Sequence, residues 1–136
     1  MIKKLNISFD FDGTLHDDFD GIINTQKEEI RKIARKYIAE GHDVCILTKR
    51  YDMSNPSLGK GHEYKEVLYV AKLLGINKVF FTNRNFKNQY IIDLKIDMHF
   101  ENAEYEVKLI EESCLKVNHK CVVVPVEDPY WRDLVY

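Results

Sequence analysis

The chain has 136 residues, 45% of them hydrophobic and 31% charged, with a formal net charge of −2. That length suits one domain over residues 1–136 with a core of its own, and the near-neutral charge speaks against a dedicated nucleic-acid binder while leaving room for a local basic patch. The three cysteines, Cys45, Cys114 and Cys121, are odd in number and form no CxxC pair, so neither a zinc ribbon nor a disulfide framework is indicated; each sits in an apolar stretch and reads as a small buried hydrophobe. No apolar run approaches the roughly 20 residues of a membrane span, and no signal-peptide pattern follows Met1, so a cytoplasmic protein without membrane contact is expected. The Asn6-Ile7-Ser8 sequon is then without consequence.

In chain order, short apolar runs alternate with helical patterns. Residues 5–9 read as a buried strand, and 22–40 as a helix with Ile30, Ile33, Ala34, Tyr37 and Ile38 on one face, stopped by Gly41. Strands follow at 44–47 and 78–82, with a helix at 63–74 between them that Gly75 closes. A short helix is expected at 86–94, a strand at 98–100, a helix at 103–117 with Val107, Ile110, Cys114 and Val117 on one side, and a strand at 121–124. Strands that are apolar throughout and separated by helices predict an α/β chain: a Rossmann-like three-layer sandwich around a five-stranded parallel sheet. In such sheets ligands bind beyond the carboxyl ends of the strands, so chemistry is sought there.

The first strand runs into Phe9-Asp10-Phe11-Asp12-Gly13-Thr14-Leu15. A carboxylate is a weak nucleophile and must be held against phosphorus with its charge managed by a metal; magnesium takes oxygen ligands such as a carboxylate and a backbone carbonyl. Gly13 permits a sharp turn and Thr14 can hold it by side-chain hydrogen bonding. A calcium loop counted from Asp10 would need glycine sixth and glutamate twelfth, but Leu15 and Gly21 stand there. Asp17, Asp18 and Asp20 read as solvated surface acids.

Here the sequence resembles the haloacid dehalogenase-like hydrolases, whose first motif has the form DxDGT; Asp10 to Leu15 carries it in full. The resemblance implies Asp10 as nucleophile and metal ligand, and Asp12 as a metal ligand through its carbonyl and as general acid and base through its side chain. An acid at position 12 implies phosphate chemistry. The family's second motif, a threonine or serine ending the second strand, is met by Thr48. The third, a basic residue that steadies the phosphoryl group, is assigned to Lys87 ahead of the short helix, with Lys95 as runner-up at the wrong end of the sheet. The fourth follows the fourth strand, where relatives show two acids and this chain has Glu101 and Asn102. Both are candidate metal ligands, and the amide carries no charge. Asp97 should lie at the opposite end.

Family members often carry a cap domain after the first motif or between the second and third. Neither gap here has room for one, which makes this a small capless member with an open site. The expectation is a Mg2+-dependent phosphomonoester hydrolase working through an aspartyl-phosphate on a phosphorylated small molecule such as a nucleotide. Gly13, Lys49 and Arg50 are candidate substrate-binding residues, and Lys60 and Arg84 extend a basic rim. Two alternatives stay open: a phosphatase of nucleic-acid ends, less favoured, and a non-catalytic phosphate- or metal-binding module of the same fold. Gly59-Lys60-Gly61 reads as a flexible loop, and His62 and His99 as structural or surface histidines. The tail from Pro125, with Tyr130, Trp131 and Tyr136, is expected to cover part of the site or to join a partner subunit in a homo-oligomer.

Overall fold

Parallel pairing begins at β1 (Asn6–Phe9), which takes β2 (Asp43–Thr48) on one side and β4 (Met98–Glu101) on the other. A computed structural model describes residues 3–17, 25–53 and 64–136. With β3 (Lys78–Phe81) and β5 (Val122–Pro125), the sheet has the order β3-β2-β1-β4-β5, all parallel. Helices α1 (Thr25–Ala39), α2 (Tyr64–Leu74), α3 (Asn88–Asp93) and α4 (Glu104–Lys116) separate the strands. The expected α/β class and five-stranded sheet are met. Between β1 and β2 the described residues form only α1, and between β2 and α3 only α2 and β3. No helix among the described residues is long and apolar enough to cross a membrane.

The strands alternate sides with period two, and this sorts the core into two layers. Ile7, Phe9, Val44, Ile46, Phe100 and Val124 meet α1 and α2 residues such as Ile30, Ala34, Val67 and Ala71 on one face. Cys45, Leu47 and Val123 meet Ile91, Val107 and Ile110 on the other. Cys45 and Cys114 are buried and Cys121 half-buried, all free; burial pushes the Cys45 and Cys121 thiols up to about 12, so they behave as packing groups, as read from the sequence. Helix α1 ends as its sequence predicts: Gly41 has φ +91, and the amides of Gly41 and His42 bond back to Ile38 and Tyr37, a Schellman closure.

The chain steps outward from β1 to β2 to β3 and then crosses back to β4 on the other flank. The strand order therefore reverses beside β1, at the β1/β4 boundary, where ligand crevices of open α/β sheets form. Asp10 leaves β1 there, and its amide still bonds the Phe100 carbonyl at 2.9 Å.

The tail departs from expectation. Trp131 opens a single 3₁₀ turn (Trp131–Leu134) and is buried in the α1-side core. Arg132 grips Glu29 of α1 through two nitrogens at 2.6–3.1 Å, and the Tyr136 hydroxyl donates to the same carboxylate at 3.0 Å. The aromatic tail is thus anchored on α1 and not laid over Asp10. At its start, Pro125, Glu127 and Asp128 line a cavity of about 280 Å³ with Asn102 and Glu104 at the carboxyl edge of the sheet.

Candidate active site

After β1 the chain folds back at once. The amides of Thr14, Leu15 and His16 all converge on the Phe11 carbonyl at 3.0–3.2 Å, and Gly13 donates to His16. Gly13 sits at φ +80, and a Cβ built on it would lie 2.1 Å from Asn102 Nδ2. Only glycine meets both demands, a left-handed backbone and a side chain of Asn102 pressed against it. Arg31, buried on α1, fixes the far end of the loop by donating from Nε to the Leu15 carbonyl at 2.7 Å.

Asp10 is 5% exposed. Its Oδ1 accepts from Lys87 Nζ at 2.7 Å and its Oδ2 from the Thr14 hydroxyl at 3.2 Å. Lys87, 1% exposed, shares the same Nζ with Glu101 Oε1, also at 2.7 Å. One ammonium thus serves two buried carboxylates, and the cluster carries a surplus negative charge. Burial, with the Glu101 charge adding to it, pushes the Asp10 carboxyl up to about 7 against the pull of Lys87. Burial acts the same way on Glu101, but Lys87 and the His99 hydrogen bond outweigh it and hold that group at about 2. Burial works to lower Lys87, and the two carboxylates more than reverse it. Lys87 lies equally close to both carboxylates, and Glu101 has in His99 a second side-chain partner.

That partner is His99, fully buried, whose Nε2 meets Glu101 Oε1 at 2.9 Å while Nδ1 meets the Ser8 hydroxyl at 2.6 Å. Ser8, His99 and Glu101 are carried to the α3/α4 side of the sheet by strand alternation. Glu101 Oε2 accepts the Ala103 amide at 3.1 Å. Both Glu101 oxygens thus have partners inside the protein, and one of them seats Lys87. Asn102, packed against Gly13, is the member of the pair beside the Asp10–Asp12 loop.

Asp12 is held by Arg50 in a two-point grip, Nε to Oδ2 at 2.9 Å and Nη2 to Oδ1 at 2.6 Å. Arg50 is 2% exposed, lies over the Phe11 ring at 4.9 Å and also pairs with Glu66 of α2 at 2.9 Å. Arg50, expected among the substrate-binding residues, is placed here as the partner of Asp12 and Glu66. Thr48 ends β2 one strand from Asp10; its buried Oγ1 accepts the Arg50 amide at 3.3 Å, an arrangement that directs the hydroxyl proton elsewhere. Lys49 lies between the exposed rings of Phe86 and Tyr105. Lys95 and Asp97 sit at the amino end, bonded to Asn6, as expected. Lys60, His62, Gly59, Gly61, Asp18 and Asp20 lie outside the described residues. Of the basic rim, Arg84 is exposed, whereas Arg50 and Lys87 are buried in ion pairs, so the edge is less basic than its sequence suggests.

Two contributors escaped the sequence reading. Glu106, fully buried in the first turn of α4, accepts the Lys87 amide at 3.2 Å and lies 3.7 Å from Lys49 Nζ; an acid one helical turn after the fourth motif was its only signal. The second is the place of His99: read from the sequence as a structural or surface histidine, it is structural, and its link to Glu101 carried no sequence signal.

The oxygen donors around Asp10 are of the hard kind that magnesium takes. Among the described residues no group of three or more His, Cys, Asp or Glu side chains is placed to hold an ion, so a site here would draw on the Asp10 carboxylate, the Asp12 carbonyl and the Asn102 amide oxygen, all hard oxygen donors. The surplus negative charge at Asp10 is what a divalent cation would neutralise.

No protein-family model and no curated protein matches the chain. Among solved structures, one named "putative 3-deoxy-D-manno-octulosonate 8-phosphate phosphatase from Vibrio cholerae" superposes with a TM-score of 0.50 at 16% identity. The chain shares its fold with that structure, an α/β arrangement of the kind the resemblance to haloacid dehalogenase-like hydrolases implied. The match covers 81% of this chain and 62% of that structure, and at this identity it is a likeness of fold.

Proposed function

We propose that the chain is a Mg2+-dependent phosphomonoester hydrolase in which Asp10 carries the phosphoryl group. The observation that carries this reading is the Asp10 carboxylate at the sheet's switch point, gripped on one oxygen by buried Lys87 at 2.7 Å and met on the other, among the described residues, by the Thr14 hydroxyl at 3.2 Å. A purely structural aspartate would not be buried with a surplus of negative charge. The name of the Vibrio cholerae neighbour, a phosphatase, agrees with the class.

In this scheme an Asp10 oxygen attacks phosphorus and the bond to the leaving oxygen breaks. Asp12, fixed beside the loop by Arg50, delivers a proton to that oxygen. The Asp12 carboxylate then takes a proton from water, whose oxygen attacks the phosphorus of the aspartyl-phosphate, and the bond to Asp10 breaks to release phosphate. Lys87 and the Thr48 hydroxyl hold phosphoryl oxygens throughout. Magnesium, held by Asp10, the Asp12 carbonyl and Asn102, would supply charge neutralisation for the approach of two anions.

The test is phosphate release from an aryl phosphate, with magnesium and with chelator, for the parent and for Asp10→Asn. Magnesium-dependent turnover in the parent alone is expected. Turnover that survives in Asp10→Asn would overturn the assignment of the nucleophile.

A further inference from the structure

Beside the buried machinery stands a pair of rings that no folding argument requires. Phe86 and Tyr105 are 57% and 55% exposed, with centroids 6.4 Å apart and planes at 76°. Lys49 Nζ lies in the notch they form, 5.0 Å from one centroid and 5.1 Å from the other, and donates to the Tyr105 hydroxyl at 3.1 Å. Such cation–π contacts hold rings in place while their outer faces stay in water.

Three connections tie this platform to the reacting groups. Phe86 is the residue before Lys87, so the backbone that sends Lys87 inward to Asp10 sends the ring outward, with neighbouring Cα atoms about 3.8 Å apart. Lys49 follows Thr48 directly. Glu106 joins both, accepting the Lys87 amide at 3.2 Å and standing 3.7 Å from Lys49 Nζ. The loop that displays Phe86 is also densely bonded: Asn83 and Arg84 both adopt positive φ, +53 and +70, their amides bond to the Arg50 and Lys49 carbonyls at 3.3 and 2.8 Å, and Thr82 and Asn85 bond reciprocally at 2.7 and 2.8 Å. Two consecutive left-handed non-glycine residues carry strain that is sustained only where surrounding bonds over-determine it.

From this geometry we infer that Phe86 and Tyr105 stack the planar base of a leaving nucleoside, so that the preferred substrates are phosphate esters of nucleosides. A nucleobase presents an apolar face to the rings and carbonyl or ring-nitrogen acceptors to the remaining Lys49 protons. The inference rests on the phosphatase reading and narrows its substrate class.

Calorimetry on the full-length Asp10→Asn chain with magnesium separates the two ideas. AMP is expected to bind about tenfold more tightly than ribose 5-phosphate, the scale of one base–aromatic stack. Adding Phe86→Ala should weaken AMP alone and close that gap, and Phe86→Trp should keep it open. Equal binding of the two esters, no binding of AMP, or an equal loss for both in Phe86→Ala would overturn the platform. A short 5′-phosphorylated oligonucleotide identifies the source of the base: binding tighter than AMP with steep salt dependence assigns the platform to strand ends, and binding no tighter assigns it to free mononucleotides. Phosphate release from ribose 5-phosphate by the parent chain reports on the phosphatase reading by itself. Release without AMP preference sinks the platform and keeps the phosphatase; ring-dependent AMP binding without release of phosphate from either ester does the reverse.

Discussion

The two faces of β1 and β4 are unlike. Toward α1, Ile7, Phe9 and Phe100 close into an apolar layer in which the Phe9 and Phe100 rings stack with centroids 4.4 Å apart. Toward α3 and α4, the intervening residues Ser8, His99 and Glu101 build a buried polar column that ends on Lys87 and Asp10. The same strands thus stabilise the fold with one set of side chains and prepare a charge cluster with the alternate set. Stability and chemistry are separated by the period of the strand, so substitutions one residue apart should act on different properties.

The largest effect is expected from Asp10→Asn: a loss of at least about a thousandfold in turnover with no loss of stability, because the change removes a charge from a cluster that has too many. A lowered melting temperature in this variant would contradict the surplus-charge account. Lys87→Met should damage both properties, leaving two buried carboxylates unpaired at a cost of about 3–5 kcal/mol, read from the denaturant midpoint. Phe100→Ala, on the other face, should cost a similar 3–5 kcal/mol through its cavity while kcat/KM of the folded fraction stays near the parent value; a selective loss of kcat would show that the faces are coupled.

Smaller effects follow from titration. With chelator present, Asp10 titrates at about 7 in the folded chain against an ordinary 3.8. Between those values the folded state binds a proton the unfolded state lacks, so this group's contribution to stability falls as pH rises through that window. The melting temperature of Asp10→Asn relative to the parent should accordingly climb from pH 4 to pH 7; a constant difference would show that Lys87 neutralises Asp10 fully. The smallest effect belongs to the tail. Arg132 holds Glu29 below the ordinary glutamate value, so its contribution is present above that value and fades as pH falls. Glu29→Gln should lower the melting temperature slightly at neutral pH and not in acid.

Much of this was legible because it is local. Asp10, Asp12, Gly13 and Thr14 are adjacent in sequence, and the apolar runs locate the strands. Lys87 was found because it opens a short helix before β4. What was missed depends on partners distant in sequence. Nothing near Arg50 says that Asp12 and Glu66 will enclose it, and a cation after a strand reads equally well as a rim. Glu101 sits where a metal ligand is expected, and nothing near it in sequence announces its contacts with Lys87 and the buried His99. Trp131 lies in a polar tail, and its burial follows from the gap beside α1 that only the assembled core creates.

The strand order also has a consequence for synthesis. β1, β2 and β3 leave the ribosome early and can pair with one another, but the other flank of β1 waits for β4; Ser8 and His99 are 91 residues apart, and Asp10 and Lys87 are 77. Until that late segment emerges, the nascent chain presents β1 as an open edge, with its aspartate already in place and its counter-charge still unmade. A chain built this way has no half-built cluster: the same closing step that shields the edge also brings Lys87 to Asp10.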